Sequence, residues 1–186
     1  MDTEIRDLTS DEARAIVYRA SDQHIATLDE ALALCSSLNL WVMLDIKTFD
    51  NPPNSEQFFQ RISDLLQVHN LTRTTVTISG HHLTQKHLVG KVLFRVTNEE
   101  FKKVQDGASV PLNHKFWFGL PEALPSEMVS KLQQNGALVM PAINTFRYPA
   151  HADRELAHQD IERLLNAGVD GFQIDSIYED LFAKKK

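Results

Sequence analysis

Several short apolar runs in this sequence end in side chains that could do chemistry, and strand alternation decides which of them share a face. In Trp41-Val42-Met43-Leu44-Asp45-Ile46-Lys47, Val42, Leu44 and Ile46 fall on one side, while Met43, Asp45 and Lys47 fall on the other. The apolar set suits packing against helices. That leaves Asp45 and Lys47 on the opposite face, near the C-terminal end of the strand. The same rule groups Thr77 with Ser79, Arg95 with Thr97, and Gln173 with Asp175 on that inner face. Their apolar neighbours (Val76 and Ile78; Val92, Phe94 and Val96; Phe172 and Ile174) then take the outer one. Two carboxylates, a lysine and an arginine would converge at one rim. Lys47 and Arg95 could hold a phosphate there, with a divalent metal on Asp45. The same charges could equally pair with one another as a structural network.

Histidine offers less. His81 and His82 follow a strand end directly, so at most one of them faces the rim, and a packing or surface role competes for both. His151 and His158 are spaced to share a helix face, but no third ligand with metal-site spacing accompanies them, which argues against zinc. Asp50, Asp64 and Asp106 read as loop or helix-face charges, and Phe116 with Trp117 as core. Cys35 is the only cysteine and sits in an apolar helical run, so no internal disulfide can form.

The elements that must position these residues alternate from about residue 40 onward. Thr9 with Glu12 and Thr27 with Glu30 fit the capping box that opens a helix. Strands are predicted over Trp41–Lys47, Thr74–Ser79, Lys91–Thr97, Phe116–Leu120, Ala137–Asn144 (interrupted by Pro141) and Val169–Asp175. Between them run helices opened by Ser55, placed near Leu83–Val89, capped by Asn98, started by Pro125 and Ser126, and spanning Asp153–Ala167 before Gly168. Such a βαβ succession implies parallel strands with right-handed crossovers, in an open doubly wound sheet or a barrel. A full α/β barrel needs ~250 residues, so 186 residues supply about six of eight units. No linker or second composition regime interrupts residues 1–186, which read as a single domain. The Gly-rich turn of a dinucleotide site is missing.

Bulk properties exclude some functions. A formal charge of -6 disfavours a general nucleic-acid binder. No apolar run approaches the ~20 residues that span a bilayer, and no basic-then-apolar leader follows Met1, so the chain as written is expected to be soluble and unexported.

Two segments resemble the glycerophosphodiester phosphodiesterase family. Ile25-Ala26-Thr27-Leu28-Asp29-Glu30-Ala31-Leu32, followed by Leu44-Asp45-Ile46-Lys47, is similar to a helix start and a strand ending in Glu-Ile-Lys in that family. Leu164 to Asp175, with Gly168-Val169-Asp170-Gly171 inside it, resembles the family's terminal strand, and Asn144 sits where the family often has a strand-end asparagine. The resemblance implies a partial TIM barrel of the phospholipase C-like phosphodiesterase type, comprising roughly the last five to six strand–helix units. It also implies hydrolysis of glycerophosphodiesters, or of lipid head groups, to an alcohol and glycerol phosphate with Mg²⁺ or Ca²⁺. Asp45 then stands at a metal ligand's position and Lys47 at a phosphate contact. Ser79, His81, Asn144, Gln173 and Asp175 are expected around the rim. The family's proton-transferring histidines belong to a His-Arg-Gly strand end and a His-Asp pair ahead of the matched region, and Met1 to Ser21 contains no histidine. The chain is therefore expected to lack the N-terminal third of the barrel and to be inactive alone. A non-catalytic assembly protein that self-associates through open strand edges is the alternative, and another phosphodiesterase of the same superfamily is a third possibility.

Overall fold

The computed structural model describes residues 7–47, 55–148 and 153–182. Its elements in chain order are α1 (Ser10–Arg14), α2 (Leu28–Ser37), β1 (Val42–Leu44), α3 (Ser55–Val68), β2 (Thr75–Thr77), α4 (His82–Leu88) and β3 (Leu93–Arg95). There follow α5 (Asn98–Gln105), β4 (Lys115–Trp117), α6 (Ser126–Gln134), β5 (Leu138–Val139), β6 (Ala142–Ile143), α7 (Arg154–Ala167) and β7 (Gln173–Ile174). Both expected capping boxes form, with Thr9 and Glu12 opening α1 and Thr27 and Glu30 opening α2. A third opens α5, where Thr97 rather than Asn98 is the cap, because Glu100 lies three residues after Thr97 and closes the reciprocal pair. Gly168 ends α7 with φ of 80°, a left-handed conformation that glycine adopts without a side-chain penalty. The loop around Asp50, the residue before Ser55, and His151 lie outside the described residues.

The strands are parallel and their spatial order follows the sequence, β1-β2-β3-β4-β5, with β6 beside β7. β5 and β6 are two halves of one run that Pro141 splits, since the N–H of Met140 still donates to Trp117 O (3.0 Å) and that of Ala142 to Gly119 O (2.9 Å). On the other side, Asp170, Gln173 and Asp175 donate to the carbonyls of Val139, Pro141 and Ile143. The order never reverses, whereas a doubly wound sheet reverses at a switch point and carries helices on both faces. Here all the strand residues in the two hydrophobic cores come from one face. The architecture is therefore that of a partial barrel whose sheet is not closed.

The first core gathers Leu32, Leu44, Phe59, Ile62, Leu66, Leu88 and Val92 beneath α2, α3 and α4. The second joins Val96, Trp117, Met128, Leu132, Val139, Ile143, Ile161 and Leu164 beneath α5, α6 and α7. Between them α4 and α5 stand apart, leaving a crevice of about 430 Å³.

Register corrects one expectation. Leu44 pairs with Thr77 and Thr77 with Phe94, so Thr77 lies on the helix-covered face and Ser79 follows its alternation. Val76, paired with Met43 and Leu93, takes the inner face, where it is only 1% exposed. Polar alternation misleads here because both faces of a barrel sheet are packed. The buried hydroxyls are satisfied locally, Thr75 donating to Leu71 O at 2.7 Å and Thr77 to Leu44 O at 3.2 Å.

Candidate functional site

The C-terminal ends of the strands carry three separate groups of the expected residues. At the end of β1, Ile46 packs against the first core, which leaves Asp45 and Lys47 on the side turned away from the helices. Lys47 Nζ donates to Asp45 Oδ2 at 2.6 Å, with side chains 74% and 47% exposed. Water screens so open a pair, and it contributes little to stability. Its cation is available to an anion that competes with Asp45.

Arg95 ends β3 on the same inner face as Leu93, and its guanidinium lies 6.0 Å from the centre of the Phe118 ring. Only β2 separates β1 from β3, so their ends stand about 10 Å apart at the usual strand spacing. Asn98, Lys115 and Ser79 share the α4–α5 crevice with Arg95.

Asp175, Asn144 and Gln173 meet at the ends of β6 and β7. Asn144 Nδ2 donates to Gln173 Oε1 and to Asp175 Oδ1, each at 3.1 Å. Thr145 N and Oγ1 donate to Asp175 Oδ2 at 2.7 and 2.9 Å. The hydrogen bonds from Thr145 come first in holding the Asp175 carboxyl below the usual aspartate range. Thr145 was missed by strand alternation because it lies beyond the strand. Its adjacency to Asn144 is the only signal the sequence offers.

Two of the rim expectations are relocated. Ser79 turns toward the helices, sharing a hydrogen bond with Thr84 Oγ1 at 3.0 Å. His81 caps α4, its Nδ1 accepting from Leu83 N at 3.3 Å, and its ring stacks on buried Phe59 with centres 5.5 Å apart. Accepting that bond places the ring proton on Nε2, and the stack under α4 takes His81 away from the inner face. His82 is exposed and packs its ring 4.5 Å from that of His81. Among the described residues no hydrogen bond or ion pair joins the three groups.

Nor do three His, Cys, Asp or Glu side chains gather to hold a metal among the described residues. Mg²⁺ and Ca²⁺ draw six or more oxygens, and Asp45 supplies one carboxylate. These residues alone do not fit a complete cation site.

The fold superposes on solved structures. The glycerophosphodiester phosphodiesterase of Agrobacterium tumefaciens superposes with a TM-score of 0.55 at 15% identity, over 86% of this chain and 61% of that one. A structure assigned to the same enzyme type from Galdieria sulphuraria gives 0.64 at 18% identity, over 93% and 68%. One from Silicibacter pomeroyi gives 0.52 at 15%, over 81% and 53%. The fold is a partial glycerophosphodiester phosphodiesterase barrel. This chain spans between 53% and 68% of the length of those phosphodiesterases. No family model and no curated protein matches the sequence. Likeness to the phosphodiesterases therefore lives in the order of strands and helices. Among the described residues no helix is long and apolar enough to cross a membrane.

Proposed function

We propose that this chain is a glycerophosphodiester phosphodiesterase-type polypeptide whose described residues supply the phosphate-holding side of the rim and not the proton-transferring side. The observation that carries this reading is Lys47, exposed at the end of β1 on the helix-free face and paired, among the described residues, only with the half-exposed Asp45. A phosphodiester anion can displace Asp45 from the ammonium, and Arg95 can approach the same anion from β3. Asp45 offers one carboxylate to the Mg²⁺ or Ca²⁺ that the resemblance implies and cannot complete the shell by itself. Acid–base catalysis needs a group within hydrogen-bond reach of the phosphodiester. His81 is committed to capping α4 and stacking on Phe59, which supports binding without turnover. Calorimetric titration of the purified chain with glycerophosphocholine, with and without Mg²⁺ or Ca²⁺, tests this. Saturable binding that Lys47→Ala weakens is expected, and no saturable binding under any of these conditions would sink the reading.

A second reading is an assembly role. Leu34, Leu38 and Trp41 are 59%, 57% and 51% exposed along α2 and the β1 edge. Apolar surface beside an open strand edge favours pairing with another chain. Sedimentation would report self-association for this role, and a monodisperse monomer would rule it out.

A further inference from the structure

The opposite ends of the strands carry a second cleft. The turns leading into β1, β2, β3, β4 and β5 converge there around a space of about 470 Å³. Its titratable lining consists of Arg73, Lys91 and His114, all bases, in a chain whose net charge is -6. Among the described residues neither Arg73 nor His114 forms a salt bridge, while Lys91 donates to Ser63 Oγ. The floor is apolar, made by Leu93 and Leu138, and one wall is the half-exposed indole of Trp41. Clustered bases around an apolar floor focus a positive potential in a low-dielectric recess. An open indole adds a face on which a flat group can stack.

We infer that this cleft binds a small organic anion bearing a flat apolar group, with Arg73 and His114 on the anion and Trp41 on the ring. It is independent of the phosphate rim, because it lies at the N-terminal ends of the strands and uses none of the rim residues. A bare anion would leave the apolar floor and the indole uncovered, and a neutral ring would leave the bases unanswered.

Adenosine monophosphate is the simplest probe that combines both parts, with inorganic phosphate and adenosine as its halves. The chain has two tryptophans, and Trp117 is buried, so Trp41 reports ligand through its fluorescence. Saturable quenching by adenosine monophosphate is expected, with weaker binding of either half alone. Arg73→Ala should weaken it at least about tenfold, the loss of one charge-assisted hydrogen bond, and Trp41→Phe, followed by calorimetry, should weaken it severalfold. Arg73 is exposed, and an unchanged circular dichroism spectrum would confirm that the variant folds. Lys102→Ala, which removes an exposed cation of α5 outside both the cleft and the rim, should leave binding unchanged. Absence of saturable binding, indifference to Arg73→Ala, or loss of binding in Lys102→Ala would each overturn the inference.

Discussion

The two halves of the sheet are built differently, although both are strands under helices. Beneath α5, α6 and α7 charged side chains are tied to the backbone and to buried partners, whereas the buried polar groups of the other half are the hydroxyls of Ser63, Thr75, Thr77 and Thr84. Arg163 donates to the carbonyls of Leu124 and Pro121, both at 2.9 Å, and Tyr148 Oη donates to Asp160 at 2.9 Å. The carboxylate of Asp170 accepts from Val139 N at 2.8 Å, and Asp175 ties the end of β6 to the end of β7. Beneath α2, α3 and α4 the pairs are peripheral: Arg14 with Glu30, Lys86 and His87 with Glu56, and His69 with Asp29. The first half also keeps Tyr18, Leu34, Leu38, Leu40 and Trp41 open to water. Charged groups are thus tied to the backbone in the second half, and open apolar surface, which binding uses, is concentrated in the first.

Core deletion should break this contrast most visibly. Leu132→Ala in the second core is expected to lose about 2–5 kcal/mol, because the cavity adds to the lost transfer energy. Leu34→Ser, on exposed α2, should stay within about 0.5 kcal/mol. Urea denaturation of the two variants measures both, and equal losses would show that the open face of α2 is packed as firmly as the second core.

Next in size are the two rim aspartates. Asp175→Ala strips the hydrogen bonds from Asn144 and Thr145 and should cost about 1–3 kcal/mol. Asp45→Ala loses only an open ion pair and should change stability by less than about 1 kcal/mol. Parallel thermal melts would separate them.

Acid sharpens the same comparison. The Asp175 carboxyl is held below its ordinary range, so its contribution is present above the unfolded value of about 3.9 and is lost as pH falls through the lower folded value. Melting temperature should therefore fall more steeply below about pH 4 in the wild type than in Asp175→Asn. Superimposable acid limbs would show that Asp175 is not bound in this way.

The smallest effect concerns two buried tyrosines whose rings meet edge to face at 5.8 Å. Tyr178 Oη has no hydrogen-bond partner among the described residues, and burial pushes its hydroxyl pKa up. Tyr178→Phe should be neutral or stabilising by up to about 1 kcal/mol, while Tyr148→Phe, which gives up the bond to Asp160, should lose about 1 kcal/mol. Denaturant midpoints distinguish the two.

Much of the fold was legible because the signals were local. The capping boxes at Thr9 and Thr27, the Gly168 stop and the Pro141 interruption each act over a few residues and stand where the sequence puts them. Barrel topology was not legible from alternation alone, since a doubly wound sheet uses the same succession of elements. It needed the spatial order of the strands. β2 failed for a specific reason: Thr75 and Thr77 hide their hydroxyls on backbone carbonyls, so polar residues occupy the helix side and Val76 the inner one. At the rim, the faces of Asp45, Lys47, Arg95, Gln173 and Asp175 follow from apolar neighbours that pack against the helices. Ser79 and His81 were drawn away by local hydrogen bonds to α4, which strand periodicity does not encode.

Phosphorus NMR of glycerophosphocholine mixed with the purified chain and Mg²⁺ tests the central claim most directly, because one spectrum reads both binding and cleavage. The predicted result is broadening of the diester resonance that Lys47→Ala removes, with no monoester signal growing in. Monoester appearing with this chain alone would contradict the separation of phosphate holding from proton transfer, and a diester line unaffected by the protein would contradict the phosphate rim itself.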